Sequence, residues 1–209
     1  MKKLVFKLTL LLATLTLTTQ ARAHGKPSIG GRMLHINITR PSPDVLNVAL
    51  GRMNTNAVAT LNTSHPFSPD QPFSILNNKG YTARYGLMPG LGISMDDRIR
   101  ITRIQATPGL LTYQGGETPH LGTFAPILGT DATSDVWEMP ALMMWHNWYA
   151  AEQPGIYTAT YKVDLLNQAG DVLVSSEPLV LKFDGSNIPE PASILTLGLV
   201  SLACINRRR

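Results

Sequence analysis

Cysteine is nearly absent from this sequence. The single residue of this type, Cys204, is followed by only five more residues. An intramolecular disulfide needs two cysteines and a thiolate metal site needs several, so the sequence excludes both, and residues 24–187 cannot supply a cysteine nucleophile. We therefore expect the folded part of the chain to be stable through packing alone, unless a metal bound by other ligands contributes.

The common catalytic motifs are also absent. The sequence contains no G-x-S-x-G nucleophile motif, no H-E-x-x-H zinc motif and no G-x-x-x-x-G-K-[ST] phosphate loop. Nothing in the residue pattern therefore indicates hydrolytic or phosphoryl-transfer chemistry. We expect a protein that is not an enzyme.

Charge is scarce and unevenly placed. Of the 18 lysines and arginines, seven lie before residue 24 or after residue 187, together with one of the 14 acidic residues. The segment between them has 11 basic and 13 acidic residues, a net charge of −2 against +4 for the whole chain. The basic character belongs to the two ends, so we expect no nucleic-acid partner.

The N-terminal end has the pattern of a secretory signal peptide. Three lysines precede an apolar stretch, Leu8–Leu17, and the small residues Ala21 and Ala23 stand at the end of this segment, before His24. This is the order of a charged region, an apolar region and an A-x-A cleavage site. We predict that residues 1–23 direct the chain to the secretion translocon and are removed, the alternative being a membrane anchor that is retained.

The C-terminal end, residues 188–209, carries a second targeting pattern. An apolar, uncharged run, Ala192–Ile205, follows a Pro-Glu-Pro sequence and precedes three terminal arginines. A helix over its 14 residues would be roughly 21 Å long, short for a hydrocarbon core of about 30 Å. We predict a short transmembrane helix with the arginines in the cytoplasm, the alternative being a buried helix of a soluble domain. The residues expected to form the anchor and its stop are Ile194, Leu195, Leu197, Leu199, Arg207, Arg208 and Arg209.

This end resembles the PEP-CTERM sorting signal of Gram-negative bacteria. The matching features are Pro189, Glu190 and Pro191, the apolar span that includes Gly198, and the arginine tail. The resemblance implies transient anchoring in the inner membrane and recognition by an exosortase, a membrane-embedded cysteine protease or transpeptidase. It further implies export to the cell surface or to an extracellular matrix in which exopolysaccharide is a candidate partner. The tail would then be removed.

Residues 24–187 show strand and turn patterns in place of helix patterns. Apolar and polar residues alternate over Leu34–Ile38 and again, over a longer stretch, from Tyr157 to Leu165. We predict one all-β domain, an Ig-like or fibronectin-like antiparallel β-sandwich with Tyr157 in a tyrosine corner. The predicted strands are Leu34–Ile38, Val45–Leu50, Phe73–Leu76, Tyr81–Leu87, Arg98–Gln105, Leu110–Gln114, Tyr157–Leu165, Val172–Ser175 and Leu179–Phe183.

A second resemblance covers Val136–Phe183. His146-Asn147-Trp148, followed by Pro154-Gly155-Ile156-Tyr157, is similar to bacterial surface-anchored domains with a His-x-His-x-Asn-Trp…Pro-Gly-x-Tyr pattern. Some PEP-CTERM relatives of that group are repressed by a zinc-uptake regulator, which implies a link to zinc. The two histidine positions of the pattern are here Met143 and Trp145, so its paired-histidine site does not carry over to this chain.

Two metal hypotheses remain from the histidines. His120, His146 and Asp131 lie in or beside predicted loops and are the candidate ligands of a zinc ion. His24 would become the N-terminal residue after signal cleavage, and paired with a second histidine it would suit a copper enzyme. Methionines and tryptophans also cluster over residues 137–148, which indicates core packing or, as the alternative, an aromatic platform for sugar rings.

Overall fold

The computed structural model describes residues 25–51, 57–64 and 66–190. The predicted signal peptide, His24, His65 and the predicted sorting signal from Pro191 onward, with its membrane helix and arginine tail, lie outside this range. Within the described residues, no helix is both long enough and apolar enough to span a membrane.

The described residues form twelve β-strands and three short 3₁₀ helices, so the prediction of a mainly β structure is confirmed. The 3₁₀ helices are Pro72–Leu76, Pro119–Leu121 and Thr130–Ala132. The strands are β1 (Leu34–Ser42), β2 (Val45–Leu50), β3 (Val58–Thr60), β4 (Gly80–Thr82), β5 (Tyr85–Pro89), β6 (Arg98–Ala106), β7 (Leu111–Gly116), β8 (Val136–Pro140), β9 (Trp145–Ala151), β10 (Ile156–Leu166), β11 (Val172–Ser175) and β12 (Leu179–Asp184).

The strands form two six-stranded sheets. The first sheet has the order β2-β1-β5-β9-β4, with β7 paired to the other edge of β9. The second has the order β3-β12-β10-β6-β8, with β11 paired to the end of β10. The prediction of a purely antiparallel arrangement is wrong, because β1 pairs with β5 in parallel and β12 pairs with β3 in parallel. Both sheets are therefore mixed.

A single cluster of buried side chains joins the two sheets. Ile36 and Tyr149 contribute to it from the first sheet, and Ile101, Tyr161 and Phe183 contribute from the second. Strands β1 and β10 alternate in the way the sequence predicts, with every second side chain buried in this cluster. The burial of these apolar groups is the main source of stability available to a domain without disulfides.

A second, smaller cluster covers the opposite face of the first sheet. It consists of Trp148 and Ala150 from β9, Tyr113 from β7, and side chains that the long connections bring over them, among them Phe73 and Phe124. Strand β9 therefore has apolar neighbours on both faces, and six of its seven residues are buried. This explains why the sequence around Trp148 does not alternate between apolar and polar residues.

Two segments differ from the strands predicted for them. Phe73–Leu76 is a 3₁₀ helix, because Pro72 begins a helical turn and Phe73 and Leu76 then reach the second cluster together. The predicted Tyr81–Leu87 strand is divided into β4 and β5, which pair with successive parts of β9. The interruption falls at residues 83–84.

The hydroxyl of Tyr85 links the two sheets. This residue of β5 has its hydroxyl oxygen 2.9 Å from the carbonyl oxygen of Lys182 on β12 and 3.1 Å from that of Ala57. Its ring is fully buried against Phe183, with the ring centroids 5.3 Å apart.

We expect Tyr85→Phe to lower the free energy of unfolding by about 1–3 kcal/mol, because the carbonyl groups of Lys182 and Ala57 lose their shared donor while the ring packing is kept. Urea denaturation followed by tryptophan fluorescence measures this loss. An unchanged urea midpoint would contradict the role given to the hydroxyl.

Candidate functional site

Three histidines lie on or against the face of the first sheet that the second cluster partly covers. His35 on β1 and His146 on β9 both stand opposite Gly86 of β5 in the strand register, so their side chains leave the sheet on the same side. His120 lies in a 3₁₀ helix above the same face, with its ring centroid 6.4 Å from that of Trp148. We call the region around Gly86 on this face the Gly86 site.

His146 is fully buried and has a structural partner. Its Nδ1 atom lies 2.9 Å from the carbonyl oxygen of Ala83, in the interruption between β4 and β5. A carbonyl oxygen can only accept, so Nδ1 carries the proton and donates it. The imidazole thus gives Ala83, which lies outside β4 and β5, a side-chain hydrogen-bond partner from β9.

The other ring nitrogen of His146 is left bare. With the proton on Nδ1, the Nε2 atom of the neutral ring presents a lone pair, and it finds no hydrogen-bond partner among the described residues although it is buried. Burial lowers the pKa of His146, the hydrogen bond to Ala83 raises it and the nearby His35 lowers it. The net shift is downward, which favours the neutral ring and keeps this lone pair available.

The ring of His146 lies directly over Gly86. A β-carbon built on this glycine would stand 2.7 Å from Cε1 and 3.0 Å from Nε2 of His146, and 3.0 Å from the sulfur of Met144. Any other residue at position 86 would therefore collide with the ring. The absence of a side chain creates the space in which Nε2 and the Met144 sulfur lie close together.

A β-bulge in the pairing of β7 with β9 fixes the position of His146 relative to β7. The register between β7 and β9 shifts between Tyr113 and Gly116, and Gly116 then stands opposite His146. Inside this bulge the amide of Gly115 donates to Oδ1 of Asn147 over 3.2 Å. Gly115 itself lies against the backbone of His146, because a β-carbon built there would be 1.6 Å from its carbonyl oxygen.

His120 is held beside the second cluster. The indole Nε1 of Trp148 donates to the carbonyl oxygen of Pro119 over 2.9 Å and so positions the 3₁₀ helix that carries His120. Burial lowers the pKa of His120, and the charge of Lys26 lowers it further. Its Nδ1 has no hydrogen-bond partner among residues 25–51, 57–64 and 66–190.

Asp131 is exposed on the connection between β7 and β8. Its backbone is left-handed with φ of 52°, and its charge, after burial, contributes to raising the pKa of Tyr113 to about 12. In the part of the chain that is described, no three His, Cys, Asp or Glu side chains are grouped so as to hold a metal ion. His120, His146 and Asp131 are thus not assembled as one three-ligand set, and the zinc hypothesis stays a prediction.

The tryptophan and methionine cluster is mainly packing. Trp148 and Met139 are almost completely buried and Trp137 nearly so, which leaves no flat ring surface for a sugar at these positions. Met143, in contrast, is 44% exposed. The hydroxyl of Tyr157 donates to the carbonyl oxygen of Gln153, four residues before it, over 2.6 Å.

Sequence reasoning missed the residues that surround His146. Met144 and His146 are two positions apart in extended chain, a spacing that places both on one face, and His35 alternates with the buried Leu34 and Ile36. These signals are visible in the sequence. The sequence does not show that β1, β5 and β9 are neighbours, and this alone brings His35, Gly86 and His146 together.

Comparison of the chain with protein-family models, curated proteins and solved structures finds no match.

Proposed function

We propose that this protein is a non-catalytic protein of the cell surface or extracellular matrix, exported through the secretion translocon and sorted by an exosortase. The Pro189-Glu190-Pro191 sequence would be the recognition motif, and the apolar run with the arginine tail would hold the precursor in the inner membrane until processing. In this proposal residues 1–23 and the tail are targeting signals, and residues 24–187 are the exported domain.

The observation that best supports this proposal is the position of the motif relative to the folded body. Ile188 is 4% exposed and belongs to the core cluster, where its side chain lies against Gly80. Pro189 and Glu190, the next two residues, are both exposed. Within the described part of the chain, Ile188 is thus the last buried residue, and the first two residues of the motif are accessible to an enzyme.

We further propose that the two sheets form an Ig-like or fibronectin-like sandwich. The cluster of buried side chains shared by both sheets and the hydrogen bond from Tyr157 to Gln153 support this arrangement. A domain of this kind suits a structural or adhesive role, because it presents loops and sheet faces without needing a catalytic centre.

Glu190→Ala tests the sorting proposal in the native cell. We expect the variant chain to stay full-length in the membrane fraction while the unaltered chain is processed, and intact-mass spectrometry of the membrane and extracellular fractions measures both forms. Because Glu190 is exposed, the substitution should change the free energy of unfolding, measured by urea denaturation, by no more than about 0.5 kcal/mol.

Glu177→Ala is the matched control, since Glu177 is an exposed acidic residue on the folded body. It should be processed like the unaltered chain. Equal processing of both variants, or recovery of the intact full-length chain in the cytosol, would refute the proposed sorting.

A zinc-binding surface protein is the second candidate, favoured by the unpartnered Nε2 of His146. Calorimetric titration of the full-length protein with Zn²⁺ tests it. Binding weaker than about 10 µM, or roughly −7 kcal/mol, would rule it out.

A further inference from the structure

We propose that the Gly86 site binds a soft monovalent metal ion of the copper(I) class through His146, Met144 and His35. The site lies on the first sheet, at the junction of β1, β5 and β9. It uses His146, as the zinc hypothesis does, but with a different ligand set and without His120 or Asp131.

His146 is the residue on which the site is built. Its Nδ1–H group is held by the Ala83 carbonyl, which fixes the ring orientation and leaves Nε2 as the free lone pair. A histidine that donates from one nitrogen to a backbone carbonyl is the usual arrangement of a metal ligand, because that bond fixes the tautomer and raises the basicity of the other nitrogen. A buried, unpartnered nitrogen of this kind otherwise costs stability.

Met144 supplies the second donor. Its sulfur and Nε2 of His146 each lie 3.0 Å from the same point, the position of a β-carbon on Gly86, so the two atoms are at most about 6 Å apart. Met144 precedes β9 directly and His146 is its second residue. The two side chains therefore reach the same face of one extended segment, and rotation about the flexible Met144 side chain would bring its sulfur to an ion held by Nε2.

His35 approaches from the other side of Gly86. In the register His35 and His146 flank this glycine on neighbouring strands, which places their backbones about 10 Å apart. Gly86 has no side chain to separate them. His35 and Met144 are half-buried while His146 is fully buried, so an ion would reach Nε2 past these two side chains.

The chemistry of the donors selects the ion. Two neutral imidazoles and a thioether carry no negative charge, and thioether sulfur is a soft ligand that favours copper(I) over the hard cations that prefer carboxylates. The described residues offer no grouping of three His, Cys, Asp or Glu side chains that would complete a zinc site around His146. A monovalent ion with few ligands fits the set that is present.

The test uses the full-length protein in detergent with Cys204→Ser as the parent, because the only thiol of the chain would compete for a soft ion. Silver(I) is titrated as a redox-inert probe, and copper(I) is added without oxygen in the presence of a chromophoric chelator. We expect one tightly held ion per chain. We also expect the Nε2 nitrogen resonance of His146 to shift on binding, with the Nδ1 resonance much less affected.

Met144→Leu should weaken silver(I) binding by about tenfold or more, since it removes the sulfur and keeps an apolar side chain of similar size. His35→Gln should weaken it as well. Met143→Leu is the matched control, because this neighbouring methionine is exposed and lies outside the site, and it should bind like the parent.

Three results would each overturn the proposal. They are silver(I) binding weaker than about 10 µM, equal affinity of Met144→Leu and Met143→Leu, and an unshifted Nε2 resonance of His146. A parallel titration with Zn²⁺ separates the two metal hypotheses: tight zinc binding without silver(I) or copper(I) binding supports the zinc alternative and excludes this one. None of these outcomes depends on how the chain is exported.

Discussion

Gly115→Ala is expected to remove most or all of the stability of the domain, a loss of more than about 4 kcal/mol in the free energy of unfolding. The added β-carbon would lie 1.6 Å from the carbonyl oxygen and 2.7 Å from the carbonyl carbon of His146. These are backbone atoms of β9, a strand buried on both faces, so no flexible side chain can move away. Urea denaturation measures the loss, and a low yield of folded protein would accompany it.

Gly25→Ala is the control for this substitution. A β-carbon built on Gly25 meets no atom of the described residues within 4 Å, and its φ is not in the left-handed region. This variant should unfold at the same urea concentration as the unaltered chain. If Gly115→Ala behaved in the same way, the close contact between β7 and β9 in the bulge would be refuted.

Trp148→Ala is expected to lower the free energy of unfolding by about 3–5 kcal/mol, because it leaves a large cavity in the second cluster. The indole is fully buried between the rings of Tyr81 and Phe124, with centroid distances of 5.7 and 5.8 Å. It also donates to the carbonyl oxygen of Pro119. Urea denaturation followed by far-ultraviolet circular dichroism measures the change without relying on the lost fluorophore.

Two further substitutions separate packing from hydrogen bonding at Trp148. Trp148→Phe keeps an aromatic ring but loses the Nε1 donor, so it should cost less than the alanine variant. Leu121→Ala, at a residue 75% exposed on the same 3₁₀ helix, should change stability by no more than about 0.5 kcal/mol. Equal effects of Leu121→Ala and Trp148→Ala would show that the second cluster does not stabilise the fold.

Local pattern was enough to locate most strands. Apolar and polar residues alternate in β1 and β10 because one face of each strand lies in the shared core and the other does not. This alternation is visible in the sequence. The hairpin between β1 and β2 follows from two strands separated by a short turn that includes Pro43. Such features depend only on neighbours along the chain.

Features that depend on distant parts of the chain were not predictable in this way. The parallel pairing of β1 with β5 joins residues about fifty positions apart, and no local signal distinguishes it from an antiparallel partner. The 3₁₀ helix at Pro72–Leu76 was predicted as a strand because its apolar residues suit either structure. The second cluster, whose other members come from distant parts of the chain, decides between them.

The candidate site was likewise predictable only in its local features. The sequence indicates that His146 is a candidate metal ligand, but groups it with His120 and Asp131 because all three lie in or near predicted loops. His146 is instead inside a strand, oriented by Ala83 at the interruption between β4 and β5. Its neighbours in the Gly86 site come from strands whose order only the fold reveals.

The burial of Ile188 limits the reach of the proposed membrane tether. Six residue steps separate Ile188 from Ile194, where the anchor is predicted to begin, and an extended chain covers at most about 3.6 Å per step. Under the proposed anchoring, the folded body of the precursor could stand no more than about 22 Å from the apolar layer. A processing enzyme would have to work within that gap, close to the part of the fold where Ile188 lies against Gly80.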